Sequence, residues 1–348
     1  MAKLLVTGGA GFIGSHCCLV LLKAGYEIIV LDSFVNSSII SLHRISRILN
    51  INLEARLKII KGDIRDITLL RKIFLEEKSK SEPISGVIHF AGLKAVGESV
   101  INPLEYWDVN VNGSRVLFKV MDEFTCRTIV FSSSATIYGL PDSVPINEKS
   151  ALNPINPYGR TKSTVESILN DLYFSNKDKW KIANLRYFNP VGAHSSGFIG
   201  EDPKDIPNNI FPIICQVASG KREKIRIFGD DWPTEDGTGI RDYIHVMDLV
   251  EGHFLALRYL AKSNPQIVAI NLGTGHGASV LNLISTFSRV NDIEIPYEIV
   301  SRRDGDVAIS IADPSLAENI LGWRAKRNLE EMCKDGWNWQ LNNLEGYK

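Results

Sequence analysis

The sequence predicts an α/β fold, a doubly wound parallel sheet carrying a smaller mixed α/β subdomain, on three observations. Short β-rich runs alternate with longer helical patterns through the first half of the chain. Several of the short runs, such as Ile28-Ile29-Val30-Leu31, are apolar without a break, as a strand covered by helices on both faces requires. A glycine-spaced turn, Gly8-x-x-Gly11-x-x-Gly14, lies between the first short run and the first helical pattern.

In order, strands are expected at Lys3–Thr7, Glu27–Asp32, Leu57–Lys61, Gly86–Phe90, Arg127–Ser132 and Ile182–Arg186. Helices are expected between them at Phe12–Ala24, Ser37–Asn50, Ile67–Glu77, Pro103–Glu123 and Pro157–Phe174. Pro103 and Pro157 suit a first helical turn, where the missing N–H costs nothing. Beyond Asn189 the rhythm loosens into Gly-, Pro- and Asn-rich connections such as Asn189-Pro190-Val191-Gly192, chemistry suited to loops over a ligand. Two strand-like runs, Tyr243–Val246 and Ile267–Leu272, flank a helical Asp248–Leu260 and read as one more unit returning to the sheet. The expected division is therefore interleaved. Residues 1–188, with a returning unit at about 240–273, form one domain, and residues 189–239 and 274–348 form a substrate-binding subdomain.

Composition excludes more than it identifies. A chain of 348 residues can bury a large core. Thirty-nine Lys and Arg against 40 Asp and Glu leave a net charge of −1, which points to neither nucleic acid nor an anionic membrane as partner. Cysteines at 17, 18, 126, 215 and 333 form no Cys-x-x-Cys pair and no Cys/His cluster, so a reducing compartment and no metal site are expected. No run approaches the roughly 20 apolar residues of a spanning helix, and no secretory pattern opens the chain. A cytoplasmic protein is expected.

Two motifs carry the chemistry. In a strand–turn–helix setting, Gly8, Gly11 and Gly14 let the backbone approach a pyrophosphate, whose charge is met by helix N-terminal amides. Asp32, at the end of the second strand, can accept from a ribose diol and would repel a 2′-phosphate, which favours NAD over NADP. Farther on, Tyr158 and Lys162 lie four apart, on one face of a helix. The ammonium there would favour the phenolate, a base near neutral pH. Ser132, Ser133 and Ser134 end the fifth strand, at the carboxyl edge where ligands of open α/β sheets bind.

Thr7-Gly8-x-x-Gly11-x-x-Gly14, Ser134 and Tyr158-x-x-x-Lys162 resemble the extended short-chain dehydrogenase/reductase superfamily, with a Rossmann-type sheet. The stretches His89 to Ser99, Ser132 to Thr136, Leu185 to Pro190, Gly200 to Pro203, Ile206 to Asn209 and Pro233 to Val246 narrow this, and are similar to the UDP-glucose 4-epimerase family across essentially the whole chain. The resemblance implies a retained NAD, a UDP-hexose substrate interconverted between its galacto and gluco forms through a 4-keto sugar, and a homodimer. It implies Tyr158 as base, Ser134 as the group steering the sugar hydroxyl, and Lys162 on the nicotinamide ribose. Gly8, Gly11, Phe12, Ile13, Gly14, Asp32, Ser33, Asn36, Asp63, Ile64, Phe90, Ala91, Gly92, Lys94, Asn110 and Tyr187 would line the cofactor. Asn189, Asn208, Asn209, Ile227, Phe228, Arg241, Arg303 and Asp306 would surround UDP, with Ser132 and Ser133 beside the sugar. Arg241 and Arg303 suit a diphosphate because a guanidinium forks two hydrogen bonds to it.

Ser310 falls where the family carries either a bulky Tyr or a small residue near the sugar 2-position, so room for an N-acetyl group is expected. Phe12 replaces a common Tyr, and Ser33 a common Asn. The segment Ile39 to Arg56 is longer and more basic than in compact members and has no evident function. Three alternatives stand beside this reading. A 4,6-dehydratase would need an Asp-Glu pair where Ala135 and Thr136 stand. Another nucleotide-sugar epimerase or decarboxylase is separated only by the longer motifs, and a non-catalytic NAD-binding module by the intact Tyr158, Lys162 and Ser134.

Overall fold

The computed structural model describes residues 2–204, 207, 209–303 and 305–348. Six strands, β1 (Lys3–Thr7), β2 (Glu27–Asp32), β3 (Leu57–Lys61), β4 (Ile84–His89), β5 (Thr128–Ser134) and β6 (Lys181–Tyr187), join the later strand Gln266–Leu272 in one sheet. Every pairing in it is parallel, and the order is Gln266–Leu272, β6, β5, β4, β1, β2, β3. The chain winds one way from β1 to β3 and the other way from β4, so the switch lies between β1 and β4. A ligand crevice opens at the carboxyl ends of the strands at such a point.

Both faces are covered, which is why β2 and β5 can be apolar without alternation. On one face α1 (Phe12–Lys23), α2 (Ile39–Leu49) and the helix Val246–Lys262 pack over Leu4, Val6, Ile28 and Val30. On the other, α3 (Ile67–Ser79) and the helices Gly113–Glu123 and Pro157–Ser175 cover Leu5, Ile29, Val87 and Ile129. Asp66 caps α3 through the Leu69 N–H, and Asn156 caps the helix Pro157–Ser175 through the Gly159 N–H, with Pro157 in the first turn as expected.

A second core, built around Phe211, Ile214, Ile227, Phe287 and Trp337, gathers the helices Ile210–Ala218, Val280–Asn291 and Leu329–Asn342 with short paired strands. Two expectations need correction. Tyr243–His245 pairs with Asn189–Val191 and not with the central sheet, so only Gln266–Leu272 returns to it. The expected helix Pro103–Glu123 is interrupted by a π-helical stretch, Trp107–Asn112, that carries Asn110 toward the crevice. A short helix not expected from the sequence, Val96–Ile101, precedes it, and its Ser99 hydroxyl accepts from the Tyr158 N–H (3.2 Å).

Candidate active site at the carboxyl edge of the sheet

The turn after β1 is built by close approach. A Cβ on Gly8, whose φ is +68°, would meet the Ala91 nitrogen at 2.6 Å, and one on Gly14 would run into the Gly8 carbonyl. Gly11 precedes α1 with no side-chain cap, and no acidic residue occupies the first helical turn. The N-terminal amides of α1 are thus offered to an anion, as a pyrophosphate requires. The buried Asp32 carboxylate braces the turn: the Ala10 N–H donates to Oδ2 (2.9 Å), and the Phe34 N–H (2.9 Å) and Ser37 hydroxyl (2.8 Å) donate to Oδ1. These contacts leave lone pairs on Oδ2 for a ribose. Turn, amides and carboxylate fit a dinucleotide.

Beside this turn His89 is clamped at the end of β4. Its Nδ1 lies 2.7 Å from the Thr7 hydroxyl and its Nε2 2.9 Å from the Ser114 oxygen. Ser114 donates onward to the Asn110 carbonyl, so its oxygen accepts from Nε2–H and Thr7 donates to Nδ1. Burial, with Lys162 repelling in addition, drives the His89 pKa down to about 3, so the ring is a neutral brace. Asn110 then staples the loop after β4 to the helix Pro157–Ser175. Its Oδ1 accepts from the Leu93 N–H (2.7 Å), and its amide donates to the Leu93 carbonyl and to the Thr161 hydroxyl, both at 3.0 Å.

Tyr158 and Lys162 share the buried face of the helix Pro157–Ser175. Burial pushes the Tyr158 phenol up to about 12, against the pull of the neighbouring Ser134 hydroxyl. Ser134 accepts from the Thr136 N–H (3.2 Å) and the Thr136 hydroxyl (3.0 Å), which leaves its own O–H free to donate toward Tyr158. Burial also lowers Lys162, to about 8, with Glu166 pulling the other way. The Lys162 ammonium donates to the Ser132 carbonyl at 2.7 Å and stands 5.9 Å from the Tyr158 ring centre. The ammonium is thus turned to the strand end, beside the Tyr158 ring.

The serine run divides by strand alternation. Ser132 bonds the Tyr187 hydroxyl and Ser134 faces Tyr158, whereas Ser133 points to the other side and donates to Glu166. Ser133 thus leaves the expected substrate set. The Ile227 side chain is packed in the second core, which leaves only its backbone for a ligand. Ile64 packs against Gly113, and the Asp63 carboxylate is engaged by Arg65. Ser33 is exposed, and Asn36 accepts from the Lys204 N–H. Lys94 is paired to Glu201 at 2.7 Å. Phe12 and Ile13 open α1, Phe90 packs on His253, and Gly92 lies beside Asn110 and Lys162.

Farther out, Arg241 and Ser310 are register partners in adjoining parallel strands, Ile240–Arg241 and Ile309–Ser310. Burial lowers the Arg241 pKa, with Asp306 pulling it back up. Arg303 stacks 5.2 Å over the Phe228 ring and donates to Asp306 at 3.0 Å. Asn189 begins the strand beside Asp242, and Asn209 stands at the N-terminus of the helix Ile210–Ala218 without capping it. Asn208 lies outside the described residues.

Sequence reasoning missed Glu166, Arg186, His89 as a brace, and His253. Glu166 had a readable signal, four residues beyond Lys162 on the same helix face. His253 had none. It is buried in mid-helix between Phe90 and Tyr187, and its Nε2 has no partner among the described residues.

The family described as GDP-mannose 4,6 dehydratase matches residues 5–336. A UDP-glucose 4-epimerase of Bacillus subtilis is 51% identical over 345 residues, covering 99% of this chain and 98% of its own. UDP-glucose 4-epimerase 2 of Arabidopsis thaliana is 50% identical over 348 residues, covering 100% and 97%. The crystal structure of the Bifidobacterium longum UDP-glucose 4-epimerase in complex with NAD+ and UDP superposes with a TM-score of 0.93 at 45% identity, covering 99% of this chain and 100% of that one. Being about half identical to such epimerases from end to end, the chain belongs to the UDP-glucose 4-epimerase family.

Proposed function

We propose that this chain interconverts UDP-galactose and UDP-glucose with a retained NAD. The reading is carried by the convergence of Tyr158, Ser134 and Lys162 beside the glycine turn, in a chain half identical to UDP-glucose 4-epimerases along its whole length. NAD, held by the glycine turn, would supply the hydride acceptor and donor for C4 of the sugar, by way of a 4-keto sugar. The protein does the rest. Tyr158 accepts the proton of the 4-hydroxyl and later gives it back, while the Ser134 O–H holds that oxygen in line. Lys162 and Asn110 would hold the nicotinamide ribose side, and Asp32 the adenosine ribose. Arg241 and Arg303 would grip the diphosphate, with Arg303 exchanging its Asp306 contact for it. Dehydration lacks its acid and base, since Ala135 and Thr136 follow Ser134 and the Thr136 hydroxyl is spent on Ser134. Incubating purified protein with UDP-galactose and no added cofactor should yield UDP-glucose on chromatography. A 4-keto-6-deoxy product, or no conversion even with NAD supplied, would refute the reading.

Ser310 extends it to the N-acetylhexosamine pair. A small side chain beside Arg241 leaves space where a Tyr would fill it. Ser310→Tyr is expected to cut UDP-GalNAc/UDP-GlcNAc interconversion by at least about tenfold, the scale of a steric clash of 1–3 kcal/mol, while sparing the hexose pair. Equal loss of both activities, measured side by side, would remove this extension.

The chain further reads as a homodimer. Val100, Ile101 and Leu104 are 62%, 78% and 82% exposed, with Trp107 partly exposed on the same stretch and Phe174 exposed at the end of the catalytic helix. Such a set of exposed apolar side chains suits a self-associating face. Leu104→Glu should convert the dimer to monomer in sedimentation; a wild-type monomer would refute the reading. On this view residues 1–188 and the strand Gln266–Leu272 serve the cofactor, and residues 189–239 and 274–348 serve the UDP-sugar. No helix among the described residues is long and apolar enough to cross a membrane. All five cysteines are free and buried, in keeping with a cytoplasmic protein.

A further inference from the structure

The segment Gly200–Lys204 touches both loops that flank the glycine turn. Its Glu201 carboxylate accepts from Lys94, five residues beyond β4, at 2.7 Å. Its Lys204 donates through the backbone N–H to Asn36 Oδ1 (3.0 Å) and through the ammonium to the Phe34 carbonyl (2.7 Å), just beyond β2. The sheet order is β4, β1, β2, so a segment joined to the loops after β4 and β2 must cross the carboxyl end of β1, where Gly8 to Gly14 lie. The reach agrees. Three residues of extended chain span about 10 Å, and two strand spacings are about 9.5 Å.

The other side of the segment is anchored to the end of the chain and to α2. The Tyr347 N–H donates to Asp202 (2.8 Å), its hydroxyl bonds the Gly200 backbone (3.0 Å), and the Trp339 indole donates to the Glu201 carbonyl (3.1 Å). Arg44 lies 5.7 Å from the Trp339 ring centre and 5.2 Å from that of Tyr347, and donates to the Phe198 carbonyl at 3.1 Å and to Asn343 Oδ1 at 2.5 Å. The basic segment that had no evident function in the sequence thus supplies the outer anchor. The anchor side is aromatic and partly buried, whereas Lys94, Lys204 and Asn36 are exposed. One edge is therefore fixed, and the other is held by solvent-facing contacts that open at small cost.

We propose that Gly200–Lys204 is a strap across the dinucleotide groove, latched by Lys204 and Lys94 and hinged on Arg44 and the Trp339–Tyr347 end, and that its opening sets the rate at which bound dinucleotide leaves. This rests on the groove holding NAD. Lys204 and Arg44 act as positioning residues, with no part in the proton chemistry.

The test follows NAD release from purified holoprotein by rapid gel filtration and chromatographic assay of the nucleotide. Lys204→Ala is expected to release NAD about threefold to tenfold faster, the scale of one or two net hydrogen bonds. Turnover at saturating NAD and the thermal midpoint should stay near wild type, because Lys204 is exposed. Lys204→Arg, which keeps a side-chain donor, should return the rate toward wild type, and Arg44→Ala should accelerate release as well. Equal release rates for wild type and Lys204→Ala would overturn the strap and leave the groove assignment standing. A wild-type protein that neither retains nor takes up NAD would overturn both.

Discussion

Tyr158→Phe is expected to lower kcat by about 10²–10⁴-fold, the range supplied by a positioned acid–base group. NAD content and UDP-sugar affinity should be nearly unchanged. The substitution removes one oxygen and keeps a ring that is almost fully buried, so the packing survives. Burial pushes the phenol up to about 12, and the Ser134 hydroxyl pulls the other way. For Tyr158 to act as the base, its phenolate must be drawn out by positive charge set beside it in the loaded site, from Lys162 and a cationic nicotinamide. Single-turnover and steady-state assays on the variant decide the matter. Activity within about tenfold of wild type would mean that another group moves the proton.

The second large effect is on stability. Glu166, one turn past Lys162, is buried against Arg186 of β6, whose guanidinium donates to it at 2.6, 3.0 and 3.2 Å. Arg186 also donates to the Tyr138 hydroxyl and the Glu148 carbonyl, both at 3.1 Å, and Ser133 donates to Glu166. Arg186→Leu leaves a carboxylate without its counter-charge in the interior, and should cost about 3–5 kcal/mol. A denaturant midpoint shift at constant slope would measure it. The Arg186→Leu, Glu166→Leu double variant should recover part of that loss, since removing both charges removes the desolvation penalty as well. A single variant costing under about 1 kcal/mol would show the pair to be electrostatically idle. The same pair joins the catalytic helix to the sheet, so its loss should also loosen the seat of Tyr158 and Lys162.

The parts legible in the sequence are those with a local signature. Apolar runs set β1 to β3 to the residue, and the glycine spacing marked the turn, because close backbone approach at Gly8 admits no side chain. That Tyr158 and Lys162 share one helix face was readable from their four-residue spacing. Long-range commitments were hidden. Which serine faces the crevice depends on how far β5 extends, and the strand runs two residues beyond its expected end. The turn of Lys162 toward Ser132 depends on the packing of helix against strand. The pairing of Tyr243–His245 with Asn189–Val191 depends on a segment more than fifty residues away, beyond the reach of any pattern of local spacing.

That the last strand of the central sheet comes from residues 266–272 bears on how the chain is made. On the ribosome, β1 to β6 emerge first and can pair, but the free edge of β6 has no neighbour until Leu272 has left the tunnel. The face over Val130 and Leu185, on β5 and β6, is likewise uncovered until the helix Val246–Lys262 arrives. For that interval the nascent chain presents an unpaired parallel edge next to bare apolar surface, the combination most open to mispairing with another copy. Slow synthesis between residues 190 and 270 would lengthen this exposure, and a chaperone that shields strand edges would matter most there.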